Sequence, residues 1–238
     1  MNTVVSTYFG KAHAPFYDER ATKFASVRDA LNFLVRLFLA ALPDESRILC
    51  VGAGTGAELL DLATAFPGWQ FTAVEPSPAM IEICYRKVDE AGIASRCHFH
   101  EGYLDSLPRT EPFNAATSIL VSQFLTDPNQ RRDFFHQIAT RLRPGGHLIN
   151  ADLASWLNSS AFENLFEIWL RAHDHTPQAK RPSQIGWGKD VAVSRPEEIE
   201  SIIAEAGFEQ PILFYQALFI HAWHARSPGG DNETIVDY

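Results

Sequence analysis

The sequence has few cysteines and no long apolar run, and both features restrict the classes of protein to which it can belong. Cys50, Cys84 and Cys97 are the three cysteines among 238 residues, and their spacing matches no pair of metal ligands. An odd count without a secretory leader predicts a reducing, cytoplasmic setting rather than a disulfide framework. The longest apolar stretch, LNFLVRLFLAAL, is interrupted by Arg36 and is too short to cross a bilayer, so no membrane association is expected.

Basic residues are also scarce. The formal net charge is −9 at pH 7, and no basic run exceeds two residues. Since proteins that bind a phosphate backbone usually carry a basic face, direct binding to nucleic acid is not expected. The apolar content of 46% is ordinary for a globular protein. The composition is therefore typical of a globular protein with a full apolar core.

Segments with the pattern of buried strands alternate with amphipathic segments along most of the chain. The strand-like segments are RILCVGA, WQFTAVEPS, CHFHEGYL, PFNAATSILVSQFL and RPGGHLINADL, and PILFYQALFIHAWHA predicts a hairpin near the end. Such alternation predicts a doubly wound, mostly parallel α/β sheet with helices on both faces. In such sheets ligands bind beyond the carboxyl ends of the strands.

The same pattern predicts a single domain over residues 1–226. Residues 1–45 are expected to form an N-terminal helical cap, and residues 155–190 a lid or insertion after the fifth strand. Residues 227–238, SPGGDNETIVDY, are expected to form a flexible tail.

A glycine-rich loop follows the first strand. Gly52, Gly54 and Gly56 occupy alternate positions in VGAGTG, which predicts that a ligand approaches the backbone closely. Glu75 ends the next strand, 19 residues after Gly56, where a carboxylate can accept two hydrogen bonds from a ribose diol. The pair favours a nucleoside ligand. Ala57 occupies the last position of a dinucleotide fingerprint, so a nicotinamide cofactor stays an alternative.

These stretches resemble the class I S-adenosylmethionine-dependent methyltransferases. The resemblance rests on VGAGTG, AVEPSPAMIEICYRK, EGYLDSLP, RLRPGGHLINADL and the ending EAGFEQPILFYQALFIHAWHAR. It implies a seven-stranded, Rossmann-like sheet with an antiparallel last strand, S-adenosylmethionine as cofactor and S-adenosylhomocysteine as product. The residues that it assigns to the cofactor are Gly52, Ala53, Gly54, Gly56, Glu75, Pro76, Met80, Gly102, Tyr103, Leu104, Ser118 and Ile119.

A narrower resemblance points to carboxy-S-adenosylmethionine synthases and their methyltransferase relatives. It rests on FYDERATKF, SILVSQFLTDPNQRRDFFHQI and FENLFEIWLRAHD. A synthase or transferase using such a modified cofactor would need an arginine facing the cofactor's methyl position, and Arg20 and Arg195 are the available residues. A non-catalytic nucleoside-binding module is a further alternative.

The alternative of a non-catalytic module rests on three positions where the family commonly has an acid. Cys50, Tyr103 and Asn114 stand there instead, and each replacement removes a carboxylate. Near a cationic ligand this predicts weaker electrostatic attraction. Cys50 is expected to lie close to the ligand's amino group, because it stands two residues before Gly52.

Methyl transfer needs positioning and exclusion of water, and it needs a base only if the acceptor must lose a proton. No catalytic group is therefore fixed by the sequence, and the candidates are Tyr17, Gln123 and His173. The candidates for contact with the substrate are Tyr8, Arg20, Gln123 and Trp156. His173 and His175 lack a third ligand, so no metal is expected.

The segment after the fifth strand is rich in aromatic residues. Phe162, Phe166 and Trp169 follow helical spacing, which favours a core role over a lid on the acceptor. As a lid they would suit a small, flat or apolar acceptor. The sequence thus predicts methyl transfer from S-adenosylmethionine to a small molecule and leaves a homodimer open.

Overall fold

The computed structural model describes residues 9–156, 160–173 and 186–229, and one sheet organises them. Its strands are β1 (Arg47–Val51), β2 (Gln70–Glu75), β3 (Cys97–Glu101), β4 (Phe113–Ile119), β5 (Leu142–Leu153), β6 (Ile212–Ala217) and β7 (Ile220–Arg226). They lie in the order β3-β2-β1-β4-β5-β7-β6. β1 to β5 pair in parallel, and β7 runs antiparallel to both β5 and β6. The predicted seven-stranded, mostly parallel sheet with an antiparallel last strand is confirmed.

Helices connect the strands. They are α1 (Tyr17–Ala21), α2 (Ala25–Leu39), α3 (Ala57–Ala65), α4 (Pro78–Glu90), α5 (Pro128–Ala139), α6 (Ser160–Ala172) and α7 (Pro196–Glu205). The side chain of Ser77 accepts a hydrogen bond from the Met80 amide and caps α4, and Asp127 caps α5 through the Asn129 amide. Short 3-10 turns cover Ala14–Phe16, Thr22–Phe24, Leu104–Ser106 and Ser122–Phe124.

Each face of the sheet has its own apolar core. On one face, α2, α3 and α4 bury residues such as Val35, Leu62 and Val88 against the strands. On the other face, α5 and α7 bury residues such as Phe135 and Ile199. This two-sided burial leaves the carboxyl ends of the strands as the edge where a ligand can approach.

A third cluster lies beside the last hairpin. Phe162, Phe166 and Trp169 of α6 pack with Trp187 and Phe219, and all five side chains are buried. The ring centroids of Trp187 and Phe219 are 4.9 Å apart. These aromatic residues therefore form core, as their helical spacing favours, and they do not present a free aromatic lid.

The predicted domain boundaries stay predictions. α1 and α2 lie within the expected N-terminal cap, and α6 lies within the expected insertion, whose residues 157–159 and 174–185 are outside the described part. At the start of the expected tail, the Ser227 hydroxyl donates to the Arg143 carbonyl oxygen over 2.7 Å. Within the described ranges, no helix is long and apolar enough to cross a membrane.

Candidate cofactor-binding site

A cavity of about 390 Å³ lies at the carboxyl ends of β1, β2 and β4. This volume falls within the range of small-molecule pockets. The residues assigned to the cofactor from the sequence that line it are Gly52, Gly54, Glu75, Pro76, Met80, Gly102, Tyr103, Leu104 and Ile119. Residues from four separate loops thus converge as predicted.

The glycine loop has two functions in the structure. A Cβ on Gly54 would make ordinary contact with the Met80 Cε, 3.7 Å away, and Gly54 lines the cavity, so a ligand can approach this backbone. A Cβ on Gly52 would lie 2.4 Å from the Val121 Cγ2, and one on Gly56 would lie 2.6 Å from the Cys84 Sγ. Gly56 does not line the cavity, and its lack of a side chain lets α4 pack against the loop.

Glu75 connects the two sides of the site. Its Oε2 accepts the Gly54 amide and its Oε1 accepts the Ser77 amide, each over 2.9 Å. Burial raises the pKa of Glu75, and the hydrogen bonds from Ser77 and Gly54 oppose that shift. A carboxylate has about four acceptor positions, so both oxygens keep capacity for ligand hydroxyls. The residue can therefore hold a ribose diol while it fixes the loop.

The end of β4 forms the opposite wall. Ile119, Leu120 and Val121 all line the cavity, although alternate residues of a strand point to opposite faces. The reason is a left-handed backbone at Leu120, with φ of 58°, which its amide hydrogen bond to Ala151 supports. Ser118, assigned to the cofactor from the sequence, is fully buried and does not line the cavity. Ala53 is likewise buried and lies outside the lining.

The charge of the site is negative. Glu75, Asp105 and Asp133 line the cavity, and none of its described lining residues is lysine, arginine or histidine. Glu58 lies behind the glycine loop, where burial raises its pKa to about 7. Such a site favours a cationic ligand over an anionic one.

Tyr17 reaches this site from the N-terminal segment. Its residue as a whole is 38% exposed, yet burial of the hydroxyl end, with the Glu58 and Glu75 charges, raises the pKa of Tyr17 to about 12. At neutral pH the phenol therefore stays protonated and can donate a hydrogen bond. Phe9 lines the same wall. Tyr8 lies outside the described residues, as does the side chain of Arg20.

Three other candidates from the sequence are not at the cavity. The Oε1 of Gln123 accepts the Leu153 amide over 2.9 Å, so this buried amide holds backbone in place. The His173 Nδ1 lies 2.9 Å from the Trp169 carbonyl oxygen, and its ring packs on Phe24. Trp156 is 45% exposed and does not line the cavity. Among the catalytic candidates, Tyr17 alone lines it.

Two expectations about the missing acids need correction. Cys50 is fully buried in the apolar core beside α3 and α4 and does not line the cavity, because its side chain points into that face of the sheet. Asn114 lies at the amino end of β4, where its Oδ1 accepts the Arg47 amide over 3.0 Å. Its distance from the carboxyl edge follows from the strand direction, so it has no bearing on ligand charge. Only Tyr103 is at the cavity.

The sequence interpretation missed one side of the site. Gln130, Asp133, Phe134 and Gln137 of α5 line the cavity together. Their i, i+3, i+4, i+7 spacing places them on one helix face, and this signal was available in the sequence. A single carboxylate among amides and an aromatic ring does not, however, match the apolar face that such spacing usually marks.

Residues 48–146 match the family described as methyltransferase domain. This part of the chain is therefore similar to a methyltransferase domain. The chain is 30% identical over 154 residues to the tRNA (carboxymethyluridine(34)-5-O)-methyltransferase of Arabidopsis thaliana, a match covering 64% of this chain and 34% of that enzyme. The chain thus spans about a third of the plant enzyme's length.

Two further proteins are similar to most of the chain, one in sequence and one in fold. The chain is 26% identical over 201 residues to the carboxy-S-adenosyl-L-methionine synthase of Erwinia tasmaniensis, covering 81% of this chain and 78% of that protein. The solved structure of a SAM-dependent methyltransferase from Methanosarcina mazei has a TM-score of 0.60 at 15% identity, covering 82% of this chain and 98% of that one. Both resemblances predicted from the sequence, to methyltransferases and to carboxy-S-adenosylmethionine synthases, are confirmed.

Proposed function

We propose that the cavity binds S-adenosylmethionine and that the protein transfers its methyl group to a small-molecule acceptor. The observation that carries this proposal is the open backbone at Gly54 beside the buried Glu75 carboxylate. The carboxylates of the lining, with no basic side chain among its described residues, suit a ligand that bears a sulfonium and an ammonium.

Several lining residues have a defined task in this proposal. The bound cofactor supplies an electrophilic methyl group. Gly54 lets its amino-acid part approach the backbone, and Glu75 accepts the ribose hydroxyls. Met80 packs against the base, while Ile119 and Leu120 exclude water from the reacting end. The Tyr17 hydroxyl donates a hydrogen bond to the ligand in the cavity. With a pKa of about 12, Tyr17 is a poor base at neutral pH.

The acceptor follows from the rim of the cavity. Asp105, Gln130 and Asp133 are exposed there, so the rim repels phosphate groups. This supports a small molecule over a nucleic acid, although one relative is a tRNA methyltransferase. In the test, the protein receives S-adenosylmethionine with a deuterated methyl group. It is incubated in one reaction with a small-molecule fraction and in another with an RNA fraction. Label in the small-molecule fraction supports the proposal, and label in RNA alone contradicts it.

A cofactor with an added carboxylate is the second candidate, favoured by the similarity to the synthase of Erwinia tasmaniensis. Against it, Arg195 pairs with Glu198 over 2.9 Å on the surface and does not line the cavity. Mass spectrometry of ligand that co-purifies with the protein separates the two candidates. The same measurement distinguishes a nicotinamide cofactor. A bound nucleoside without any methyl transfer would favour the non-catalytic module.

A further inference from the structure

The N-terminal segment forms one wall of the cavity, yet its own packing is slight. Phe9 and Tyr17 line the cavity from this segment. Ala14 is buried, whereas no described side chain between residues 15 and 24 is buried. Apolar contacts lie at the two ends of the segment, where Phe9 packs on Phe124 and Phe24 packs on Trp169. Polar contacts close to Tyr17 therefore contribute to its position over the cavity.

Asp18, the residue after Tyr17, makes such polar contacts. Its Oδ1 accepts the hydroxyl of Thr55 over 2.7 Å, and its Oδ2 lies 2.6 Å from the Nζ of Lys87. Thr55 lies inside the glycine loop and is 2% exposed, while Lys87 belongs to α4. One carboxylate therefore joins the wall to the loop and to the helix that flank the cavity.

A second contact joins the same wall near Phe9. The Ser77 hydroxyl donates to the Phe9 carbonyl oxygen over 2.6 Å. The Ser77 amide also binds Glu75, so this contact ends at the carboxylate proposed to hold the ribose. The wall is thus attached at two points: Asp18 binds Thr55 and Lys87, and Phe9 binds Ser77, whose amide binds Glu75.

We infer that Asp18 is a positioning residue that latches the segment of residues 9–18 over the cavity, so that S-adenosylhomocysteine leaves only when this latch opens. The inference rests on the proposed function. The strength of the contacts suits a reversible latch: the Lys87 and Asp18 side chains are 27% and 46% exposed, and partly exposed ion pairs are weak. Elements that open for ligand exchange are drawn from the least stable parts of a fold.

The state of the Asp18 carboxyl agrees with this role. Burial raises the pKa of Asp18, but the hydrogen bonds from Lys87 and Thr55 outweigh burial and hold that pKa below its ordinary value. The latch is therefore charged at neutral pH.

The test compares Asp18→Ala and Thr55→Val with two controls. Asp29→Ala removes an acid of the same region whose side chain is 66% exposed and pairs with its neighbour Arg28. Thr55→Ser keeps the hydroxyl. Stopped-flow displacement measures the release rate of S-adenosylhomocysteine, and hydrogen exchange measures opening of residues 9–24 in the ligand-free protein. For Asp18→Ala we expect release about tenfold faster, the change that 1.4 kcal/mol produces, with faster exchange confined to this segment.

The controls and the two readouts make the result decisive. Asp29→Ala and Thr55→Ser should release the ligand at the wild-type rate, while Thr55→Val should release it faster. Faster exchange with unchanged release would mean that the ligand leaves by the rim at Asp105 and Asp133, and it would overturn the inference. Unchanged exchange in Asp18→Ala would also overturn it. If the wild type binds no S-adenosylhomocysteine, the proposed function fails, which is a separate result.

Discussion

The two long walls of the cavity are built on different principles. On the cofactor side, the glycine loop and Glu75 present backbone groups and one carboxylate, and the chain geometry itself makes the site. On the β4 side, Leu120 has a left-handed backbone whose amide binds the Ala151 carbonyl oxygen, and Ser122, two residues later, belongs to a buried polar network. The first wall needs particular residues at fixed positions, whereas the second needs support from side chains that never reach the cavity. A family motif can therefore reveal most of the first wall, whereas on the second wall it revealed Ile119 and not Leu120 or Val121.

The network below the β4 wall gives the largest expected effect. The Arg131 guanidinium lies 2.8 Å from Asp152 Oδ2, its Nε donates to the Ser122 hydroxyl, and that hydroxyl donates to Asp152. Both charged side chains are at most 2% exposed. Arg131→Met leaves Asp152 charged and buried, so we expect a loss of about 3–5 kcal/mol in the free energy of unfolding by urea.

The adjacent arginine supplies the control. Arg132 is 42% exposed and lies 3.9 Å from Glu205, so Arg132→Met should cost less than about 1 kcal/mol. Adding Asp152→Asn to Arg131→Met should recover part of the loss, because no unpaired charge is then buried. Equal effects of the two single variants would mean that the β4 wall does not depend on its buried network.

Gly52 tests where the two walls meet. Its φ is +69°, and an added Cβ would lie 2.4 Å from the Val121 Cγ2. Gly52→Ala should lower the free energy of unfolding by about 2–4 kcal/mol, from left-handed strain together with overpacking. Gly92 has φ of +71° with nothing within 4 Å of an added Cβ, so Gly92→Ala reports strain alone.

Urea denaturation of Gly52→Ala and Gly92→Ala separates the cost of left-handed strain from the cost of overpacking. Adding Val121→Ala to Gly52→Ala removes the Cγ atoms that lie 2.4 and 2.9 Å from the added Cβ, so it should recover part of the loss. If Gly52→Ala costs no more than Gly92→Ala, the contact between the walls is not tight.

These examples show why the sequence predicted the two walls unequally. Strand and helix periodicity predicted the sheet, and the spacing of Gly52, Gly54 and Glu75 predicted their convergence, since parallel strands bring their carboxyl ends to one edge. The left-handed backbone at Leu120 and the core position of Cys50 could not be predicted in this way. Both depend on which face a side chain takes at the end of a strand, and tertiary packing decides that.

Glu75 gives a smaller effect that is confined to the cofactor side. Glu75→Ala removes a carboxylate proposed to accept the ribose hydroxyls, so we expect weaker binding of S-adenosylhomocysteine by about 1.5–3 kcal/mol in calorimetry. The control variant is Asp105→Ala, which also removes one acid, at the exposed rim of the same cavity. Unchanged affinity in Glu75→Ala would remove the ribose role from this residue.

The smallest expected effect comes from a histidine pair that joins the middle of β5 to β7, and it separates fold stability from the chemistry of the cavity. The His224 Nε2 lies 3.0 Å from the His147 Nδ1. Burial, with nearby His224 and Arg226, lowers the pKa of His147 to about 4, from an ordinary value of 6.5. Because the folded pKa is lower than the unfolded one, the stability from this group is complete above pH 6.5 and declines as the pH falls toward 4. Glu58 has the opposite sign, since its folded pKa of about 7 makes its contribution fall as the pH rises through that value.

Only the difference between a variant and the wild type therefore isolates the pair. His147→Asn keeps a polar atom for His224 and removes one titration, so its urea midpoint should fall less than that of the wild type between pH 7 and pH 5. The side chain is partly exposed, which limits the difference to less than about 1 kcal/mol. Affinity for S-adenosylhomocysteine at pH 7 should not change, and a change there would mean that the histidine pair and the cavity are coupled.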